Sequence, residues 1–164
     1  MKYAQIRKYD VANGLGVRTS IFVTGCTHKC YNCFNEEYQD FDHGETWTDE
    51  QTNQIIKNLK NDHIAGLSIL GGEPMQNAPG LISMIKRVKE HSNKDIWLWS
   101  GYSYEDILED QDRKSLLEEL DVLIDGRFIE KKKDLTLKFR GSSNQRVIDV
   151  KKSLSSGEIV IFAG

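Results

Sequence analysis

Short apolar runs recur along the chain, separated by longer amphipathic stretches. The first, "VRTSIFVT" at residues 17–24, is rich in β-branched residues and predicts a buried strand. Later runs of the same character are "LSIL" at 67–70 and those within "DIWLWS" at 95–100 and "DVLIDG" at 121–126. We therefore expect four buried strands along this part of the chain.

The stretches between these strands have helical periodicity. In "WTDEQTNQIIKNLKN", residues 47–61, Thr48 is a candidate N-cap, acidic residues follow it, and apolar residues then share one face. "GLISMIKRVKEH" at 80–91 repeats apolar residues at helical spacing, and "SYEDILEDQDRKSLLEEL" at 103–120 predicts one or two helices. Nearer the C-terminus, "LTLKFRG", "QRVIDV" and "EIVIF" predict shorter strands and turns.

The alternation of strand and helix defines the expected fold class, which is α/β. Strand, loop and helix repeated in this order predict a parallel sheet with right-handed crossover connections. The 164 residues contain no linker, no low-complexity segment and no repeat of fixed period. We therefore expect a single domain over residues 1–164.

Segments of unusual sequence lie at the carboxyl ends of the predicted strands: "GCTHKCYNC", "GGEP", "SGY" and "DGRF". The carboxyl ends of parallel strands meet at one edge of a sheet, and α/β proteins bind their ligands there. We therefore expect these segments to converge on one site.

Composition narrows the range of functions. A net charge of −3 argues against a protein that binds nucleic acid mainly through phosphates. "MKYAQIRKYD" lacks the apolar core of a signal peptide, and no run approaches the roughly 18 apolar residues of a membrane span. We therefore expect a cytoplasmic protein with no membrane or nucleic-acid partner. In that reducing compartment, clustered cysteines indicate metal binding or catalysis rather than disulfides.

All three cysteines of the chain, Cys26, Cys30 and Cys33, lie within "GCTHKCYNCFN". They can be small buried apolar side chains, or they can bind a structural zinc with His28 as the fourth ligand. His28, however, lies inside the loop between the first two cysteines, where zinc ribbons do not normally place a ligand. An iron–sulfur cluster fits better. A 4Fe–4S cluster normally takes four thiolates, so three thiolates leave one iron with an open position for another ligand.

The C-x3-C-x2-C pattern after the first strand, with "GGEP" after the next, resembles the radical S-adenosylmethionine enzymes. More narrowly, "NGLGVRTSIFVTGCTHKCYNCFN", "SILGGEP", "WLWSGY", "DVLIDGRF" and "FRGSSNQR" resemble the proteins that activate the anaerobic ribonucleoside-triphosphate reductase, over about residues 3–150. The resemblance implies an oxidoreductase of the glycyl-radical activase type. It also implies a partial, open β/α barrel with a mostly parallel sheet, which suits a long glycine loop better than a small metabolite.

By the same resemblance, the cysteines hold a 4Fe–4S cluster, and the amino and carboxylate groups of S-adenosylmethionine bind the fourth iron. One electron from the reduced cluster then cleaves S-adenosylmethionine to methionine and a 5′-deoxyadenosyl radical. That radical removes a hydrogen from a glycine Cα of the partner, the large reductase subunit. The cluster and S-adenosylmethionine carry the chemistry, so no catalytic side chain is expected. The expected electron donor is a small flavoprotein.

The resemblance also implies which residues surround S-adenosylmethionine. The carbonyls of Gly71 and Gly72 would approach the ammonium group, and Glu73 would fix that loop. Asn35 would lie near the nucleoside and Ser100 near the carboxylate. Asp125 and Arg127 would lie near the ribose and carboxylate. Two positions depart from related proteins. Asn32 stands where many have an aromatic residue that contacts adenine, and Trp99 stands where related activases have an acidic residue of a monovalent-cation site.

Two alternatives stay open. The chain can activate another glycyl-radical enzyme or modify a small molecule, or it can be a non-catalytic iron–sulfur electron carrier. "GGEP" at the second strand end argues against the carrier. Reductive cleavage of S-adenosylmethionine distinguishes an enzyme from a carrier.

Overall fold

The computed structural model describes residues 1–28, Cys30, Cys33 and residues 36–163. The strands are β1 (Lys2–Asp10), β2 (Arg18–Val23), β3 (Glu45–Thr46), β4 (Gly66–Gly71), β5 (Asp95–Trp99), β6 (Val122–Asp125) and β7 (Arg146–Asp149). The α-helices are α1 (Asp49–Leu59), α2 (Ala78–Lys89), α3 (Tyr104–Leu108), α4 (Gln111–Leu117) and α5 (Val150–Ser156). Short 3-10 helices span Glu36–Gln39, Pro74–Asn77 and Glu130–Lys132.

The strands form one seven-stranded sheet in the order β3-β1-β2-β4-β5-β6-β7. The central strands β2, β4, β5 and β6 run parallel to one another. β1 and β3 at one edge and β7 at the other pair antiparallel. The prediction of an α/β fold with a mostly parallel, open sheet is therefore confirmed.

The helix start predicted at Thr48 is confirmed, and its sequence explains it. The Thr48 hydroxyl accepts a hydrogen bond from Glu50 N, and the Gln51 side chain accepts one from Thr48 N at 2.8 Å. Together they form a capping box that satisfies backbone N–H groups at the start of α1. The amphipathic stretch at 103–120 forms two helices, α3 and α4.

The two faces of the sheet bury different residues, because successive side chains of a strand point to opposite sides. Leu67, Ile96 and Leu98 belong to the main core, which they share with the helices. Trp97 faces the other side, where its ring centroid lies 5.1 Å from that of Phe139 and 5.2 Å from that of Phe162. This second face carries the cavity of the candidate site.

The segment "LTLKFRG", residues 135–141, does not form the strand that its alternating apolar residues indicated. The Asp134 carboxylate accepts hydrogen bonds from the backbone N–H and the hydroxyl of Thr136, which closes a turn. Phe139 then adopts a φ of 66°, which ends any extended conformation. This segment therefore forms a series of turns beside the second face of the sheet.

The sequence patterns did not predict β1 or α5. In β1 the side chains are mostly half-buried or exposed, so the strand lacks the apolar run that marked β2. α5 is only seven residues long, although its ends carry standard signals. Asp149 caps its first turn, and Gly157 ends it with a φ of 76°.

Candidate cluster and cofactor site

A cavity of about 570 Å³ lies where the central strands end. The residues that line it come from all four of the predicted site segments and include Cys26, Cys30, Cys33, Gly71, Gly72, Glu73, Ser100, Gly101, Gly126 and Phe128. The cavity continues along the second face of the sheet over Phe22, Leu70 and Trp99. The structure therefore brings the strand-end segments together, and it adds an apolar floor beside them.

The three cysteine thiols are unpaired and only partly exposed. Burial raises the pKa of Cys26 to about 11, and the negative charges of Glu73, Cys30 and Cys33 add to that rise. Burial and the charge of Cys33 also raise the pKa of Cys30. Thiolates at these positions are thus unfavourable unless cationic groups bind them, and the irons of a cluster supply that charge. The donor set fits a 4Fe–4S cluster.

Within the part of the chain that the structure describes, no three His, Cys, Asp or Glu side chains converge on a point that could hold a single metal ion. A 4Fe–4S cube makes no such demand, because each thiolate binds its own iron. His28, the possible fourth zinc ligand, instead places its Nε2 atom 2.8 Å from Glu73 Oε1. This geometry gives the zinc interpretation no support.

Glu73 of "GGEP" joins three loops through its carboxylate. Its Oε2 atom accepts hydrogen bonds from Met75 N at 2.8 Å and from the Ser100 hydroxyl at 2.9 Å. Its Oε1 atom accepts from Gly101 N at 2.6 Å and contacts His28 Nε2. With four partners, and a residue exposure of 1%, this carboxylate holds the walls of the cavity in place.

Gly71 permits the close approach of β4 to β2 at the edge of the cavity. A Cβ atom at this position would lie 2.3 Å from the carbonyl oxygen of Val23, its partner in the parallel pairing. Only glycine fits there. The first glycine of "GGEP" therefore has a packing reason as well as its expected place beside the cofactor.

The role of His28 in the site was not predicted from the sequence. Its side chain is 4% exposed, and its ring packs edge-on against Tyr102 with centroids 4.6 Å apart. The position of His28 inside the cysteine motif is the available signal, but that position by itself suggests only a metal ligand. Its partner Glu73 lies 45 positions away, so no local pattern could have identified the contact.

The two predicted cofactor contacts in "DGRF", Asp125 and Arg127, are not among the described residues that line the cavity. Asp125 is buried, and its carboxylate accepts hydrogen bonds from Tyr104 N at 2.8 Å and from Arg146 Nε at 3.1 Å. Arg127 is exposed, although its positive charge opposes the rise in the pKa of Cys30. A contact of either residue with S-adenosylmethionine stays a prediction.

The remaining predicted positions fall in different places. Ser100 lines the cavity and donates to Glu73. Asn35, the predicted nucleoside contact, and Asn32 lie outside the described residues. Trp99 lines the cavity and donates from Nε1 to the carbonyl oxygen of Phe139 at 2.6 Å. Trp99 is thus engaged with the turn segment at 135–141.

The fold and site together define a class of protein: an α/β domain with a three-cysteine loop and a glycine turn at one sheet edge, suited to an iron–sulfur cluster. The family described as "4Fe-4S single cluster domain" matches residues 12–148.

None of the helices that the structure describes combines the length and apolar character needed to cross a membrane.

The chain belongs to the family of anaerobic ribonucleoside-triphosphate reductase-activating proteins. It is 41% identical over 150 residues to the protein of that name from Vibrio cholerae, covering 88% of this chain and 96% of the relative. The Haemophilus influenzae protein gives the same identity over the same coverage. The Escherichia coli protein is 37% identical over 152 residues, which is 90% of this chain and 97% of the relative. The narrower resemblance predicted from the motifs is therefore confirmed.

Proposed function

We propose that this chain is the radical S-adenosylmethionine activase of an anaerobic ribonucleoside-triphosphate reductase, on which it generates a glycyl radical. The observation that carries this proposal is the single cavity that Cys26, Cys30 and Cys33 share with the "GGEP" turn. Family membership over nearly the whole chain supports the same conclusion. A simple electron carrier would need the three cysteines but not the "GGEP" turn beside them.

In this proposal the three cysteines hold the cluster through thiolate bonds to three irons. When bound, the cluster supplies one electron for cleavage of the C–S bond of S-adenosylmethionine. The chain positions the cluster and S-adenosylmethionine and sets the electrostatic environment around them. Carbonyl oxygens at Gly71 and Gly72 would face the ammonium group, and Glu73 fixes that turn through its hydrogen bonds to the neighbouring loops.

The other proposed contacts lie around the same cofactor. We assign Ser100 to the carboxylate end of S-adenosylmethionine, and we keep Asn35 as the contact to the nucleoside that the family resemblance implies. We assign Asp125 and Arg127 to the ribose and carboxylate side. The effect of the Arg127 charge on Cys30 supports a place for that side chain near the cluster. Since Asp125 already bonds to Arg146 and Tyr104, we expect it to act mainly by holding the "DGRF" loop.

The cavity has features that support a polypeptide partner. Beyond the cysteines, its floor is apolar, formed by Phe22, Leu70, Trp99 and Phe139 on the second face of the sheet. The sheet is open, so a polypeptide segment of the large reductase subunit can lie along this floor with its glycine near the cofactor. We propose a small flavoprotein as the electron donor. We also propose that the protein is located in the cytoplasm, because thiols stay reduced there.

The test begins with anaerobic reconstitution of the protein with iron and sulfide. We expect a brown protein with about four irons that, once reduced, converts S-adenosylmethionine to methionine and 5′-deoxyadenosine. With the large reductase subunit present, a glycyl-radical signal should appear in the electron paramagnetic resonance (EPR) spectrum. A protein that holds a cluster but never cleaves S-adenosylmethionine would be an electron carrier, and the proposal would be wrong. Cleavage that yields a radical only on another glycyl-radical enzyme would keep the chemistry but change the partner.

A further inference from the structure

The loop that carries the cysteines is anchored before its second cysteine. Gly25 N donates to Tyr38 O at 2.7 Å, and Cys26 N donates to Gln39 O at 2.9 Å. Thr27 N donates to the side chain of Gln76 at 3.1 Å. These contacts fix the loop as far as residue 27. His28 provides the next contact, directly before the remaining ligands.

The His28 contact differs from the others because it reaches the carboxylate that organises the cofactor end of the cavity. Its Nε2 atom lies 2.8 Å from Glu73 Oε1, and the two side chains are 4% and 1% exposed. A hydrogen bond to a buried carboxylate is stronger than one between neutral groups and is not weakened by water. The contact therefore ties the cysteine loop directly to "GGEP".

The chain also leaves space for this imidazole. A Cβ atom at Gly101 would lie 2.6 Å from His28 Cδ2 and 2.8 Å from Nε2. Gly101 N meanwhile donates to the same Glu73 oxygen that His28 contacts. Tyr102 packs edge-on against the same ring, and its hydroxyl accepts a hydrogen bond from Gln76. The "SGY" segment thus forms a socket for His28.

We propose that His28 is a positioning residue that sets the distance between the three-cysteine loop and the "GGEP" turn. S-adenosylmethionine must reach both elements at once: the open iron held by the first and the carbonyls presented by the second. A small change in their separation weakens this two-point attachment even when each element remains intact. His28 thereby acts on cofactor binding through Glu73, without contacting iron. This inference rests on the proposed function.

The test compares two substitutions that remove the imidazole. His28→Gln keeps an N–H group at a similar distance from the backbone, whereas His28→Leu has similar bulk and no donor. His63→Leu, at an exposed histidine, is the control. Each protein is reconstituted anaerobically and its iron is counted. S-adenosylmethionine is then titrated into the reduced protein while the EPR spectrum of the cluster is followed.

We expect all three variants to keep the iron content of the wild type. His28→Leu should raise the S-adenosylmethionine concentration at half-saturation by about tenfold, since it loses one charge-assisted hydrogen bond. His28→Gln should stay within about threefold of the wild type, and the control should not change. Gly101→Ala, which displaces the imidazole without changing its chemistry, should reproduce the Leu result.

Three results would overturn the inference. The first is a half-saturating S-adenosylmethionine concentration of His28→Leu equal to that of the wild type, and the second is an equal rise of this concentration in His28→Gln and His28→Leu. The third is loss of iron from His28→Leu. The last would make His28 a ligand or an essential part of the loop. Failure of the proposed function looks different. In that case the wild-type cluster itself would not respond to S-adenosylmethionine.

Discussion

Asp125 and Arg146 pair across the antiparallel edge of the sheet, with Arg146 Nε 3.1 Å from Asp125 Oδ1. Hydrogen bonding to Asp125 raises the pKa of Arg146, and Glu105 adds to the effect. Hydrogen bonds of neighbouring residues also join these two segments. The Gln145 side chain donates to Gly126 O, and the Asn144 side chain donates to Arg127 O. The motifs "DGRF" and "GSSNQR" are therefore the two halves of one interlocked structure.

Arg146→Ala tests the structural importance of this pair. It leaves the buried Asp125 carboxylate without its cationic partner, so we expect the free energy of unfolding to fall by about 3 kcal/mol. Arg87→Ala is the matched control, because Arg87 pairs with Asp49 at 3.6 Å and Asp49 is 93% exposed. That change should cost less than about 1 kcal/mol. Urea denaturation of the two variants measures both values, and equal losses would contradict the prediction.

Arg127→Ala separates cofactor binding from folding. The side chain is exposed, so we expect normal stability and a full cluster. If Arg127 pairs with the carboxylate of S-adenosylmethionine, half-maximal formation of 5′-deoxyadenosine should need about tenfold more cofactor. Chromatographic assay of the product across a cofactor titration gives this value. A variant that cleaves the cofactor normally, but fails to produce a glycyl radical on the reductase, would make Arg127 a docking residue.

Replacement of each cysteine tests the cluster itself. Cys26→Ala, Cys30→Ala and Cys33→Ala should each lose the cluster, because two thiolates do not hold a 4Fe–4S cube in place. Iron and sulfide analysis after anaerobic reconstitution measures the loss. His43→Ala, at an exposed histidine, serves as the control and should keep about four irons. A colourless wild-type protein with one tightly bound zinc would refute the cluster.

Gly71→Ala tests the close contact between β4 and β2. The added methyl group meets the backbone at Val23, so we expect a loss of about 2–3 kcal/mol in unfolding free energy and weaker binding of S-adenosylmethionine. Gly157→Ala has a φ of 76° but open space around it, and should cost about 1 kcal/mol through its backbone conformation alone. Its cofactor titration should match the wild type. Unchanged cofactor binding in Gly71→Ala would remove that glycine from the cofactor site.

Much of the fold follows from local pattern. The run at β2 and the apolar segments at β4, β5 and β6 each bury both of their faces, so their strands are visible in the sequence. Their parallel order then places the cysteines beside "GGEP". β1 could not be identified in this way, because its burial is partial and its role depends on pairing with β2 and β3.

The limits of the site prediction have a similar cause. Glu73 and Ser100 were predicted from motifs, yet their mutual hydrogen bond depends on the tertiary structure. The same holds for His28 with Glu73, and for Asp125 with Arg146, which lie 45 and 21 positions apart. A motif shows which residues belong to a site. Their hydrogen-bond partners depend on how distant loops meet.

The open sheet has a consequence for the efficiency of radical transfer. In the described chain the strand order ends at β3 and β7, which do not pair with each other, so the sheet does not close into a barrel around the apolar floor. An internal loop of the reductase can enter sideways, without threading a free chain end. If the reductase binds in this way, it supplies the side of the site that the sheet leaves open. Cleavage of the cofactor in its absence would be futile turnover, and the number of glycyl radicals formed per cofactor consumed would rise with the fraction of enzyme in complex.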